Sequence, residues 1–100
     1  MLLIERNGRT GTKILISGGG KCNITHAGTV DDLLRAFAPA ESRFLKPSMH
    51  RFSNDDVVKL MNDKGISTEI RENGRVFPLY GIAKDVMRVF NGLLENERIR

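Results

Sequence analysis

From Thr29 onward the apolar positions fall into patterns that name their elements. Val30, Leu33, Leu34 and Phe37 recur at helical spacing, so they share one face of a helix. Thr29 and Asp32 stand before them as a capping box, with Asp in place of the usual Glu. Pro39 closes this helix, because the residue ahead of a proline is pushed out of the helical region. Glu41 to Leu45 adds a short helical turn before Pro47. Ser53 and Asp56 repeat the cap ahead of Val57, Val58, Leu60 and Met61, and Gly65 is placed as terminator. Ile66 to Arg71 alternates apolar and polar residues as a half-buried strand does. Asn73-Gly74 then signals a hairpin, since both residues accept the positive φ of a type I′ turn. Val76 and Phe77 begin the return strand, and Pro78, which has no N–H, ends its pairing. Ile82, Ala83, Val86, Val89, Phe90, Leu93 and Leu94 make one apolar stripe on a helix of about three turns. The second half therefore reads helix–hairpin–helix, and its stripes are core faces.

The first quarter carries a different signal. Leu2 to Ile4 is a short apolar run, read as a strand, ending in Glu5 and the turn pair Asn7-Gly8. Between Lys13 and Thr25 an Ile-Leu-Ile run leads into Ser17, Gly18, Gly19, Gly20, Lys21, Cys22 and Asn23. Each glycine in an ordered segment costs roughly 0.5–1 kcal/mol relative to alanine. Three in a row make sense where bare backbone must approach something flat or anionic, with N–H groups turned toward it. A flexible linker has the same composition, but it seldom lies between two apolar runs. Two phosphate motifs fail here. A P-loop would need glycine at Leu15 and a hydroxyl at Cys22. A Gly-x-Gly-x-x-Gly turn begun at Gly18 ends on Asn23.

The segment Gly11-Thr12-Lys13-Ile14-Leu15-Ile16-Ser17-Gly18-Gly19-Gly20-Lys21-Cys22-Asn23-Ile24-Thr25-His26 resembles the signature of the YhiN/BaiN-like flavoproteins. These are NAD(P)/FAD-dependent oxidoreductases with the pattern Gly-x-Lys-x-x-x-Ser-Gly-Gly-Gly-Arg-Cys-Asn-x-Thr-Asn. The chain departs at Lys21, which keeps the charge of Arg but lacks its planar fork, and at His26. The likeness continues at Gly74-Arg75-Val76-Phe77-Pro78. It implies an α/β fold: a partial FAD-binding, Rossmann-like domain with a helix–β-hairpin–helix second half. Residues 1–28 would hold the second Rossmann strand and the flavin-binding glycine loop, and residues 29–100 the helical and hairpin segment. It also implies a first strand and Gly-x-Gly-x-x-Gly turn about 20–30 residues before Glu5, and a further strand where Asn96 to Arg100 stops. The sequence therefore reads as an N-terminal fragment of a longer flavoprotein, whose remainder is an expected partner.

The same resemblance implies FAD as cofactor, NAD(P)H as electron donor, and hydride transfer through the flavin. Glu5 would accept hydrogen bonds from ribose. Lys13, Ser17, Gly18, Gly19 and Gly20 would lie along the dinucleotide, with Lys21, Cys22 and Asn23 nearer the isoalloxazine. Cys22, the one cysteine, excludes an internal disulfide and reads as a packing residue before a nucleophile. His26 lies four residues on and would pair with it if the segment were helical. Two such groups do not make a zinc site. His50 reads as a surface or partly packed histidine, and Arg75, after a turn, as solvated, with a role near substrate as its lesser alternative. Without the missing glycine turn, the 100 residues are expected not to hold FAD tightly or to act alone.

Composition narrows the alternatives. Hydrophobic content of 40% and charged content of 28% suit one globular domain. No apolar run nears the roughly 20 residues that span a bilayer, and no signal-peptide core is present, so a cytoplasmic location is expected. A net charge of +4 raises nucleic acid as a partner. The basic residues are scattered among twelve acids, however, and the six aromatics form no recognisable RNA-binding motif. A small basic nucleic-acid-binding module stays the disfavoured alternative, beside a non-catalytic fragment that binds no flavin.

Overall fold

The computed structural model describes residues 2–95. The expected strand around Asn96 to Arg100 lies outside them. Five helices and three strands follow in the order α1 (Thr12–Ile16), a 3-10 turn (Ser17–Gly20), β1 (Thr25–His26), α2 (Val30–Leu34), α3 (Pro39–Arg51), α4 (Asn54–Asp63), β2 (Thr68–Ile70), β3 (Arg75–Pro78) and α5 (Ala83–Leu94). The chain is α/β, and its second half is the expected helix–hairpin–helix. The strands form one antiparallel sheet in the order β1-β3-β2. Thr25 lies opposite Val76, and Glu69 opposite Phe77. Among the described residues no strand pairs in parallel.

The helix caps are the ones the sequence names. Thr29 and Asp32 exchange side-chain and backbone bonds at 3.1 Å, and Ser53 and Asp56 do so at 2.8 and 3.2 Å. Beyond α4, Gly65 takes a φ of 87°. Its N–H reaches Asn62 O, and the Ile66 N–H reaches back to Met61 O at 2.9 Å. That is a Schellman closure, which needs a left-handed residue at this position.

Five expectations are corrected. Leu2 to Glu5 form no strand: a strand needs a partner for its N–H and C=O groups, and no described segment pairs with it. Pro39 opens α3 instead of closing α2, filling a first-turn position where its missing N–H is unwanted in any case. Helix α3 then runs through Pro47 to Arg51. That is tolerated because Pro47 is on the solvent side, where water can serve the carbonyl left free. The hairpin uses a three-residue loop. Gly74 alone has positive φ, the Gly74 N–H reaches Arg71 O, and the Arg71 N–H bonds Arg75 O. This is a type I turn closed by a left-handed glycine. Pairing also continues past Pro78, to the Leu79 N–H on Ser67 O at 2.9 Å. Residues along a strand point their bonding groups alternately to the two sides. Pro78 therefore turns its nitrogen toward β1, which is too short to reach it.

Helix α4 packs across β1 and β2, α1 packs on α5, and α2 on α3. The core is a cluster of Cys22, Met61, Ala83 and Val86, with Ile14, Ile24, Leu60, Ile66, Val89 and Phe90 packed around it. Among the described residues no helix is long and apolar enough to cross a membrane.

Candidate functional site

The glycine loop turns left-handed. Gly18, Gly19 and Gly20 have φ of 58°, 68° and 91°, values that residues with a side chain reach only at a cost of roughly 1–2 kcal/mol each. The loop closes on itself through the Cys22 N–H on Ser17 O at 2.9 Å and the Lys21 N–H on Gly18 O at 3.3 Å. Cys22 follows with a φ of 63°, the one described non-glycine residue in that region. Its side chain is 4% exposed and locked into the core cluster, so packing holds the strained backbone in place.

The two halves of the sequence signature meet here. A Cβ on Gly18 would stand 2.9 Å from Phe77 Cε1, so the loop lies against the β3 ring. The Arg71 guanidinium lies over that ring, 4.0 Å from its centroid. The Ile24 N–H reaches Val76 O at 2.8 Å, and the Ala27 N–H reaches Gly74 O at 2.7 Å. The Asn23 amide, turned so that its nitrogen donates, meets the Thr25 and Val76 carbonyls at 2.8 and 3.3 Å. His26 is on β1, which removes the helical pairing with Cys22. Its ring nitrogens lie instead 2.7 Å from Ala27 O and 2.8 Å from Asn73 O, and the ring packs on Gly74.

Beside the loop lies a cavity of about 340 Å³ lined by Lys13, Ser17, Cys22 and Asn23 with Ile14, Ile24, Val57, Val86 and Phe90. Four of the nine sequence-chosen residues are thus gathered around one hollow. Gly18 to Lys21 form the turn between Ser17 and Cys22, and a Cβ on Gly19 or Gly20 would meet nothing within 4 Å. That side of the peptide is open. Glu5 is apart from this group: it does not line the cavity, and its Oε1 accepts from the Asn7 N–H at 3.0 Å. His50 and Arg75 are both exposed.

Sequence reasoning overlooked one residue that the site depends on. Asn54 is 5% exposed, and its Nδ2 donates to His26 O at 2.8 Å and Gly28 O at 2.9 Å. It ties α4 to the end of β1. The only trace in the sequence was its place directly after a capping serine. Among the described residues no three His, Cys, Asp or Glu side chains converge as a metal site would require.

The family model described as the HI0933-like protein Rossmann domain matches residues 1–100. The chain is 34% identical over 77 residues to the ribosomal RNA dihydrouridine synthase of Escherichia coli strain K12, covering 77% of this chain and 18% of that protein. It is 29% identical over 75 residues to the protein of that name from Haemophilus influenzae strain Rd, covering 75% of this chain and 18% of the relative. The chain therefore spans about a fifth of the length of the curated relatives it matches.

Proposed function

The chain belongs to the HI0933-like Rossmann-domain family of flavoprotein oxidoreductases, and from that premise we propose that residues 13–23 form part of an FAD site. The observation that carries this is the open, side-chain-free face of Gly19 and Gly20 next to the cavity of Lys13, Ser17, Cys22 and Asn23. These residues fit a flat, anionic dinucleotide. Bare peptide allows close approach, Lys13 brings a positive charge, and the apolar walls from Ile14, Ile24 and Phe90 suit a ring system. Ser17 adds a hydroxyl. Asn23, pinned by two carbonyls, keeps a fixed orientation. When bound, FAD supplies two-electron transfer, with NAD(P)H as its source of electrons. Glu5 is the proposed ribose ligand, on the strength of the signature alone.

The names of the relatives supply the substrate class. A dihydrouridine synthase adds two hydrogens to a uridine ring, which balances as one hydride and one proton. We assign this chain to an enzyme that does so on ribosomal RNA. The chain's own contribution is to hold the coenzyme and to present fixed peptide donors where negative charge gathers on reduction.

Titration with FAD, followed by flavin fluorescence anisotropy, tests the reading. Weak but saturable binding is expected for the wild type. It should fall about ten-fold in the Gly19→Ala/Gly20→Ala variant and several-fold in Lys13→Gln, with circular dichroism confirming that both are folded. No saturation at millimolar FAD, or equal affinity in all three proteins, would sink it.

A further inference from the structure

Helix α3 gathers the charge that looks scattered in the sequence. Residues 35–52 hold four cations (Arg35, Arg43, Lys46 and Arg51) and one acid, Glu41, so this stretch carries +3 of the chain's net +4. It also holds three of the six aromatic residues, Phe37, Phe44 and Phe52. At about 100° per residue, Arg43, Phe44, Lys46, His50 and Arg51 fall within roughly half of the helix circumference. The partly buried positions, Ser42, Leu45 and Met49, lie on the other half, against α2. No residue of α3 is fully buried. Phe44 is 83% exposed and Phe52 55%. An open groove of about 440 Å³ runs between Phe37 and Phe44 along Ala40, Glu41 and Leu45. Glu41 turns its Oε1 to the Ala38 N–H. Among the described residues Arg43, Lys46 and Arg51 make no ion pair, while Arg35 is bridged to Asp32 at 2.8 Å.

We propose that this face of α3 binds a single-stranded segment of RNA, with a base stacked on Phe44 and phosphates on Arg43, Lys46 and Arg51. An exposed ring set among unpaired cations is the combination that single strands use: every base offers a face to stack, and every link offers a charge to neutralise. A second copy of this chain, itself +4, would set like charge against the three uncompensated cations. The proposal rests on the reading above that this chain belongs to an enzyme acting on ribosomal RNA, and it adds where on this chain the strand is held.

The test is fluorescence anisotropy of a labelled oligouridylate with the full 100-residue chain at several salt concentrations. Three phosphate contacts predict a slope of log affinity against log salt of about −2. Phe44→Ala should weaken binding about ten-fold with the slope unchanged, and Phe44→Trp should restore it. Arg43→Gln/Lys46→Gln should make the slope shallower by about 1.4. Lys59→Gln/Lys64→Gln, on α4 and at its C-terminal cap, should alter neither. The proposal is overturned if Phe44→Ala binds like wild type, or if the α4 pair weakens binding as much as the α3 pair. It is overturned too if Phe44→Ala abolishes only self-association of the chain. Paired FAD and RNA titrations of the wild-type chain separate the two readings. FAD binding with no RNA binding sinks this proposal alone, whereas RNA binding through α3 without FAD binding sinks the other.

Discussion

A methyl group on Gly18 would sit 2.9 Å from both the Asn23 nitrogen and Phe77 Cε1, whereas one on Gly19 would meet nothing within 4 Å. Both residues have left-handed φ, so alanine at either carries the same backbone penalty of roughly 1–2 kcal/mol. Only Gly18→Ala must also push a backbone atom and a buried ring aside, which adds at least about 1 kcal/mol. Urea denaturation should therefore place Gly18→Ala below Gly19→Ala in stability. The reverse order would mean that the loop does not rest on β3. The two glycines look alike in the sequence and divide their work in space: one fits against the fold, and the other leaves a surface open. Ser17, Gly18 to Gly20 and Asn23 were legible because residue type alone announced them. Asn54 was not, because an asparagine after a capping serine is ordinary until its two carbonyl partners come into view.

At the scale of elements, what the sequence announced were local bonds. Both capping boxes form where Thr29-Asp32 and Ser53-Asp56 foretold them, because each is complete within four residues. Strand β1 was missed, since two residues carry no period, and its pairing is fixed by distant Gly74 to Val76. Helix α3 was cut short in the sequence reading because Pro47 counts against a helix unless its solvent-facing side is known. The caps also set a pH dependence. The Thr29 N–H, helped by its hydroxyl, holds the Asp32 carboxyl below the ordinary 3.8. Ser53 holds Asp56 below it in the same way. A carboxylate whose folded value is depressed adds stability above its unfolded value, and that stability is lost as pH falls through the folded one. Thermal midpoints should therefore decline as the pH drops below about 4, and Asp32→Asn/Asp56→Asn should flatten this acid limb by lowering the neutral midpoint while changing the acid midpoint less. An acid limb unchanged in the double variant would show that other groups govern it.

Across the whole molecule, the glycine loop is only as fixed as the small core behind it. Among the described residues eight apolar side chains are buried, and twelve large ones are exposed. Domains of this size hold about 5–15 kcal/mol in total, and so thin a core places this one near the bottom of that range. Met61 is completely buried, in contact with the cluster that contains Cys22, Ala83 and Val86. Truncating a buried Met to Ala costs about 2–5 kcal/mol, a large share of what is available. Cys22 has left-handed backbone and ends the loop, so its conformation survives only while that cluster is packed. Met61→Ala, which replaces no residue of the cavity lining or the loop, is thus predicted to broaden or abolish cooperative unfolding. It should also weaken FAD binding more than Lys21→Ala, although Lys21 stands in the loop itself. Stabilising the fold with an osmolyte should recover much of the first loss and none of the second, because excluded solutes favour burial and supply no charge. Should Met61→Ala unfold as cooperatively as wild type and bind FAD unchanged, the loop would owe its shape to its glycines alone.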